Sequence, residues 1–122
     1  MRNVLLVEDE DFLANLLKAR LDKDGMETQI AKDGQEALKF LREKKFNLVL
    51  LDLILPKLSG FEVLETMQAD IQLQAIPVVI ISNLGQDNDI SRGQSLGAVE
   101  YFVKAKVSIE DLIVNVKKYL KE

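Results

Sequence analysis

The apolar residues of this chain follow two spacings that take turns along its length. Unbroken runs fill residues 4–7 (Val4-Leu5-Leu6-Val7), 48–51 (Leu48-Val49-Leu50-Leu51) and 78–81 (Val78-Val79-Ile80-Ile81). Runs this short, bounded by turn signals, read as strands covered on both faces. The β-branched run after Pro77 is the strongest of the three. Residues 27–31 make a shorter, partly polar run suited to a strand near a sheet edge. A fifth strand spans 99–103 and ends at Lys104. Between these runs the apolar residues recur at helical spacing. Over 12–21, Leu13, Leu17 and Leu21 repeat at four-residue intervals with Phe12 and Leu16 alongside, and Gly25 supplies a stop. Asp33 with Glu36, and Ser59 with Glu62, have the spacing of capping boxes, and Ser108 with Asp111 marks a third start. The stripes that follow are Ala37, Leu38 and Leu41, then Phe61, Val63, Leu64 and Met67, then Ile109, Leu112, Ile113, Val116 and Leu120. A short helix over 88–96 stops at Gly97.

Strand and helix thus alternate five times with short connections. This order means parallel strands joined by right-handed crossovers, with helices on both faces of the sheet. A length of 122 residues suits one domain, 1–122. The chain reads as free-standing, with no linker and no output domain.

Composition narrows the chemistry. A chain 48% hydrophobic and 30% charged has the balance of a soluble globular protein. No apolar run approaches the roughly 18–20 residues that span a bilayer. The stretch Met1-Arg2-Asn3-Val4-Leu5-Leu6-Val7 turns acidic at Glu8, too early for a secretory signal. The expected location is therefore the cytoplasm, away from the membrane. There is no cysteine, hence no disulfide and no thiolate metal site, and no histidine, hence no imidazole base or ligand. A net charge of −4 disfavours direct nucleic-acid binding. Carboxylates, lysines and hydroxyls remain.

A parallel sheet brings all its carboxyl ends to one edge, where open α/β folds hold ligands. That edge receives Glu8 and Asp9 after the first strand, Asp52 after the third, Ser82 after the fourth and Lys104 after the fifth. Clustered carboxylates repel one another, and a hard divalent cation relieves the repulsion; Mg²⁺ suits oxygen ligands best and Mn²⁺ is possible. Ser82 can donate to a phosphoryl oxygen and the Lys104 ammonium can neutralise another. This is equipment for phosphoryl transfer, with Asp52 as nucleophile. Glu10 and Asp11 read instead as a solvated start to the first helix, favoured by its dipole.

The order of acid pair, Asp52-x-x-x-Pro56-x-x-x-Gly60, Ser82 and Tyr101-x-x-Lys104 resembles the receiver domain of two-component response regulators, of the chemotaxis-type single-domain kind, over the whole chain. The resemblance implies a flavodoxin-like doubly wound sheet of order 2-1-3-4-5. It implies a phosphoacceptor, not an enzyme in the usual sense, that catalyses only its own phosphorylation and dephosphorylation. Asp52 would take the phosphoryl group from a histidine kinase or histidine phosphotransfer protein. Asp9 would be a direct metal ligand, Glu8 a ligand through a metal-bound water, and the Ile54 carbonyl the third protein ligand. Ser82 and Lys104 would hold the phosphoryl group. Tyr101 would be the switch aromatic, turning inward as Ser82 moves. A face of the fourth helix, fifth strand and fifth helix, including Ile90, Arg92, Gln94, Tyr101 and Phe102, would bind a downstream protein. The chain would be a monomer or a weak phosphorylation-dependent dimer.

Three positions depart from the family pattern. Glu8 stands where aspartate is common. Ala105 stands where proline usually follows the lysine; a cis Lys-Ala bond would cost about 2.5–4 kcal/mol, so a trans bond is expected. Asn83 stands where a small residue is usual. Ile54 and Leu84, two residues beyond Asp52 and Ser82, flank the path of an attacking water, and their apolar character implies a longer-lived aspartyl phosphate. Two rival readings differ in class. A phosphorylation-independent interaction module would use the same fold without the chemistry. A flavodoxin-type electron carrier would need a phosphate-cradling loop after the first strand, where four acids stand instead.

Overall fold

The three apolar runs become the middle of the sheet because both of their faces are covered. A computed structural model describes residues 2–120 of the chain. The runs form β1 (Asn3–Val7), β3 (Leu48–Leu51) and β4 (Val78–Ser82), while β2 (Glu27–Ala31) and β5 (Glu100–Val103) lie at the edges. Among the described residues the sheet has five strands, all parallel, in the order β2-β1-β3-β4-β5. The edge positions account for the polar residues of β2 and for the half-burial of all of β5.

Successive side chains of a strand point to opposite faces, so each apolar run feeds two cores. Leu5, Val7, Val49, Leu51 and Ile80 face one layer, formed by α2 (Gly34–Glu43) and α3 (Gly60–Gln68) with residues that follow α4 (Asp87–Ser95). Val4, Leu6, Leu48, Leu50, Val79 and Ile81 face the other, formed by α1 (Asp11–Lys23) and α5 (Ile109–Lys118). No helix among the described residues is long and apolar enough to cross a membrane.

The helix starts lie where the capping residues place them. Asp33 accepts from the Glu36 amide at 2.8 Å, Ser59 from the Glu62 amide at 3.3 Å and Ser108 from the Asp111 amide at 3.1 Å. The Glu36 carboxylate returns a bond to the Lys32 amide at 3.0 Å. Glu10 and Asp11 are exposed at the start of α1, as their solvated role requires.

One expectation needs correction. Phe12 is 83% exposed and Leu16 37%, so neither belongs to the inner face of α1. The helix buries Ala14, Leu17 and Leu21, three and four residues apart. Positions 12 and 16 are turned about 100° back from 13 and 17, which carries them off that stripe. The fifth strand also starts one residue later than expected, at Glu100, with Val99 exposed.

Candidate functional site

The strand order places the switch in winding direction between β1 and β3, where an open parallel sheet leaves a crevice at its carboxyl edge. Sheet hydrogen bonds continue into that edge and fix what stands there. The Glu8 amide donates to the Ala31 carbonyl at 2.9 Å, and the Asp52 amide donates to the Val7 carbonyl at 3.0 Å. Ser82 is the last residue of β4 and pairs in register with Val103, which directly precedes Lys104. The backbone therefore brings all five residues to one edge of the sheet for a topological reason.

Glu8, Asp9 and Asp52 each present a carboxylate oxygen within 4.8 Å of the others. Glu8 and Asp52 are buried and Asp9 is exposed. Lys104 Nζ donates to Asp52 Oδ2 at 2.9 Å and lies 2.8 Å from Glu8 Oε1. The second contact is an ion pair directed off the hydrogen-bonding line, and Glu8 Oε1 accepts no hydrogen bond among the described residues. Glu8 Oε2 accepts from the Glu10 amide at 3.0 Å. Burial pushes the Glu8 carboxyl above its ordinary value, with Lys104 and the Glu10 amide pulling the other way. For Lys104, burial alone would favour the neutral amine, but Glu8 and Asp52 outweigh it and hold the ammonium above its usual range. The stability drawn from this cation is thus complete below the ordinary lysine value and is lost as pH rises through the higher folded one.

Three carboxylates facing one ammonium carry excess negative charge, and one buried oxygen lacks a donor. An all-oxygen set of this kind fits a hard divalent cation. Ile54 sits in the turn after Asp52; its amide donates to Asp52 Oδ1 at 3.2 Å and its side chain is 53% exposed. All peptide bonds among the described residues are trans, Lys104–Ala105 included, and residues 104–106 form a short 3-10 turn.

Ser82 and Tyr101 are joined through a residue whose backbone role is invisible in its side chain. The Leu84 amide donates to Ser82 Oγ at 3.3 Å, and the Leu84 carbonyl accepts from the Tyr101 hydroxyl. Tyr101 lies beside Ile80 in register and is half-buried. Burial raises its phenol, and Asp89 and Asp52 add to the rise. Gly60, quoted in the sequence only as part of the motif that follows Asp52, has a packing role of its own. A Cβ there would stand on the Asp52 carbonyl and the Leu53 Cα, so only glycine lets α3 begin this close to the site. Its place eight residues after Asp52 was the available signal, and it reads equally well as a turn.

Comparison with known proteins agrees with this geometry. A family model described as response regulator receiver domain matches residues 4–117. The polar-differentiation response regulator DivK of Brucella anthropi is 31% identical over 119 residues, covering 98% of this chain and 96% of that protein. The transcriptional regulatory protein AfsQ1 of Streptomyces coelicolor is 35% identical over 104 residues, covering 85% of this chain but 45% of that protein. Among solved structures, the non-phosphorylated HemR receiver domain of Leptospira biflexa superposes with a TM-score of 0.91 at 29% identity, covering 100% of this chain and 96% of that one. The Mn²⁺-bound form of response regulator Rcp1 gives a TM-score of 0.85 at 31% identity, covering 97% of this chain and 91% of that one. With its sheet order, its acidic edge and its match over residues 4–117, the chain belongs to the response regulator receiver domain family of two-component systems.

Proposed function

We propose that Asp52 is a phosphoacceptor, and that residues 1–122 act as one receiver that passes its signal to another protein. The observation that carries this reading is Lys104 held between Asp52 and Glu8 beside Asp9: a buried carboxylate with a cation and further acids around it. In the reaction, an Asp52 oxygen attacks the phosphorus of a phosphohistidine on a histidine kinase or histidine phosphotransfer protein. The new P–O bond forms as the P–N bond breaks, and the imidazole nitrogen leaves with the electron pair and takes a proton. Lys104 neutralises charge on the transferred group and the Ser82 hydroxyl donates to it. Glu8, Asp9, Asp52 and the Ile54 carbonyl would hold Mg²⁺, or Mn²⁺ as in the Rcp1 structure. When bound, the cation would supply charge neutralisation at the transferred group.

Ser82 then draws on Leu84, and through the Leu84 carbonyl on Tyr101, so that the face of α4, β5 and α5 presents a different surface to a downstream protein. This cycle runs in the cytoplasm, where a kinase supplies the phosphoryl group. Ile54 and Leu84 shield the acyl phosphate from water; Ile54→Asn and Leu84→Glu are expected to lose phosphate faster, and unchanged dephosphorylation rates would refute that role.

Mass spectrometry after treatment with acetyl phosphate and Mg²⁺ tests the assignment. The wild-type chain gains one phosphoryl adduct of roughly 80 Da and Asp52→Asn gains none. An adduct that survives in Asp52→Asn overturns the choice of residue. A wild-type chain that takes no label at all favours an interaction module that works without phosphorylation.

A further inference from the structure

α4 meets the sheet through a residue with no side chain. Gly93 is buried, in the middle of a helix whose other residues include Asp87, Asn88, Asp89, Ser91 and Ser95. Glycine weakens a helix interior, so its presence here asks for a reason in packing. A Cβ at this position would lie 2.7 Å from Ile80 Cδ1 and 3.1 and 3.2 Å from Tyr101 Cδ2 and Cε2. Both neighbours would have to give way, and they are not equally free to do so. Ile80 is fully buried and lies in register between Leu51 and Tyr101. Tyr101 is half-buried on the edge strand β5, which has no strand beyond it among the described residues. The Ile80 contact is the tighter, but that side chain is hemmed in by the core, so the ring has to shift as well.

We propose that Gly93 is a positioning residue: the space left by its absent Cβ is the seat that holds the Tyr101 ring inward, hydroxyl on the Leu84 carbonyl, before any phosphoryl group arrives. The seat links α4 to the chain of contacts from Tyr101 through Leu84 to Ser82. It sets how much of the population already carries the inward tyrosine, and so how far phosphorylation still has to shift it. The significance for signalling rests on the phosphoacceptor reading above; the packing itself does not.

The test compares Gly93→Ala with Ser91→Ala, a change at an exposed position of the same helix that improves helix propensity without reaching the sheet. Tyr119→Phe serves as background, leaving Tyr101 the tyrosine to be followed. Two readouts are taken without phosphodonor: the rate of Tyr101 nitration by tetranitromethane, and the chemical shift of the Ile80 δ1 methyl, which senses the ring. Gly93→Ala is expected to speed nitration severalfold, move the methyl resonance towards its unperturbed position and gain no thermal stability, while Ser91→Ala gains some and changes neither readout. Adding Ile80→Val, which deletes the crowded Cδ1, should restore slow nitration in Gly93→Ala. If Gly93→Ala keeps wild-type nitration and methyl shift, the proposal is overturned, whatever its melting temperature. A final arm adds beryllofluoride and Mg²⁺. If the Gly93→Ala effects appear as expected but beryllofluoride with Mg²⁺ shifts no resonance around Asp52 and leaves Tyr101 of Gly93→Ala as reactive as before, the seat stands and the phosphoacceptor reading falls.

Discussion

α3 and α4 are both nine residues long and touch through Arg92, but they are fastened in opposite ways. α3 drives Phe61, Val63, Leu64 and Met67 into the core and starts on the Ser59 cap. Each such side chain contributes about 1.5–3 kcal/mol on burial. α4 buries Gly93, and its N-cap residue Gln86 makes no side-chain cap bond among the described residues. Its outer hold is Arg92, 4.1 Å from the centroid of the Phe61 ring and 3.1 Å from Glu65. The two helices follow different parts of the site. α3 begins against the Asp52 carbonyl at Gly60, whereas α4 follows the loop that carries Leu84. Asp52 thus stands on the rigid side, and the helix that follows Leu84 stands on the side with least to lose by moving. Elements that move are drawn from the low-stability end of a fold.

The widest gap should appear on truncating one apolar residue from each helix. Leu64→Ala is expected to cost about 3 kcal/mol in urea unfolding, the range for a fully buried leucine. Ile90→Ala, from a half-buried position, is expected to cost under about 1 kcal/mol. Equal losses would erase the distinction. A smaller effect comes from the caps: Ser59→Ala should cost about 1 kcal/mol by thermal unfolding, and Gln86→Ala close to nothing. The smallest concerns the link between the two. Arg92→Ala should lower global stability by only about 0.5 kcal/mol, because the contact is exposed. Native-state hydrogen exchange should nonetheless speed up in α4 and stay unchanged in α3. Faster exchange in both would mean that Arg92 supports the core and not only the link between the two helices.

Much of this was legible beforehand. Val4 to Val7, Leu48 to Leu51 and Val78 to Ile81 announced themselves because burial on both faces leaves no room for polar residues. Asp33, Ser59 and Ser108 marked helix starts because a capping oxygen must sit three residues before the amide it serves. Glu8, Asp9, Asp52, Ser82 and Lys104 could be gathered because parallel strands send their ends to one edge. What escaped lies in the backbone or in the absence of a side chain. Leu84 links Ser82 to Tyr101 by its amide and carbonyl, which its apolar side chain does not advertise. Gly93, and the packing reason for the motif residue Gly60, matter for what a Cβ would strike. Phe12 is misread because an aromatic at the start of an amphipathic helix looks buried until the angle of the helix on the sheet is known.

The placement of Lys104 at the end of the outermost strand also has a consequence in time. Every strand pairing here is parallel, so each needs a crossover before it can form, and such non-local closure is slow. Chain growth on the ribosome delivers Glu8 and Asp52 long before Lys104. Until β5 docks on β4, the acids have no internal counter-charge, and Ser82 has no Tyr101 at the far end of its link. A nascent or half-assembled chain therefore holds its acids without the ammonium that joins them, and the site is completed only with the last strand of the fold.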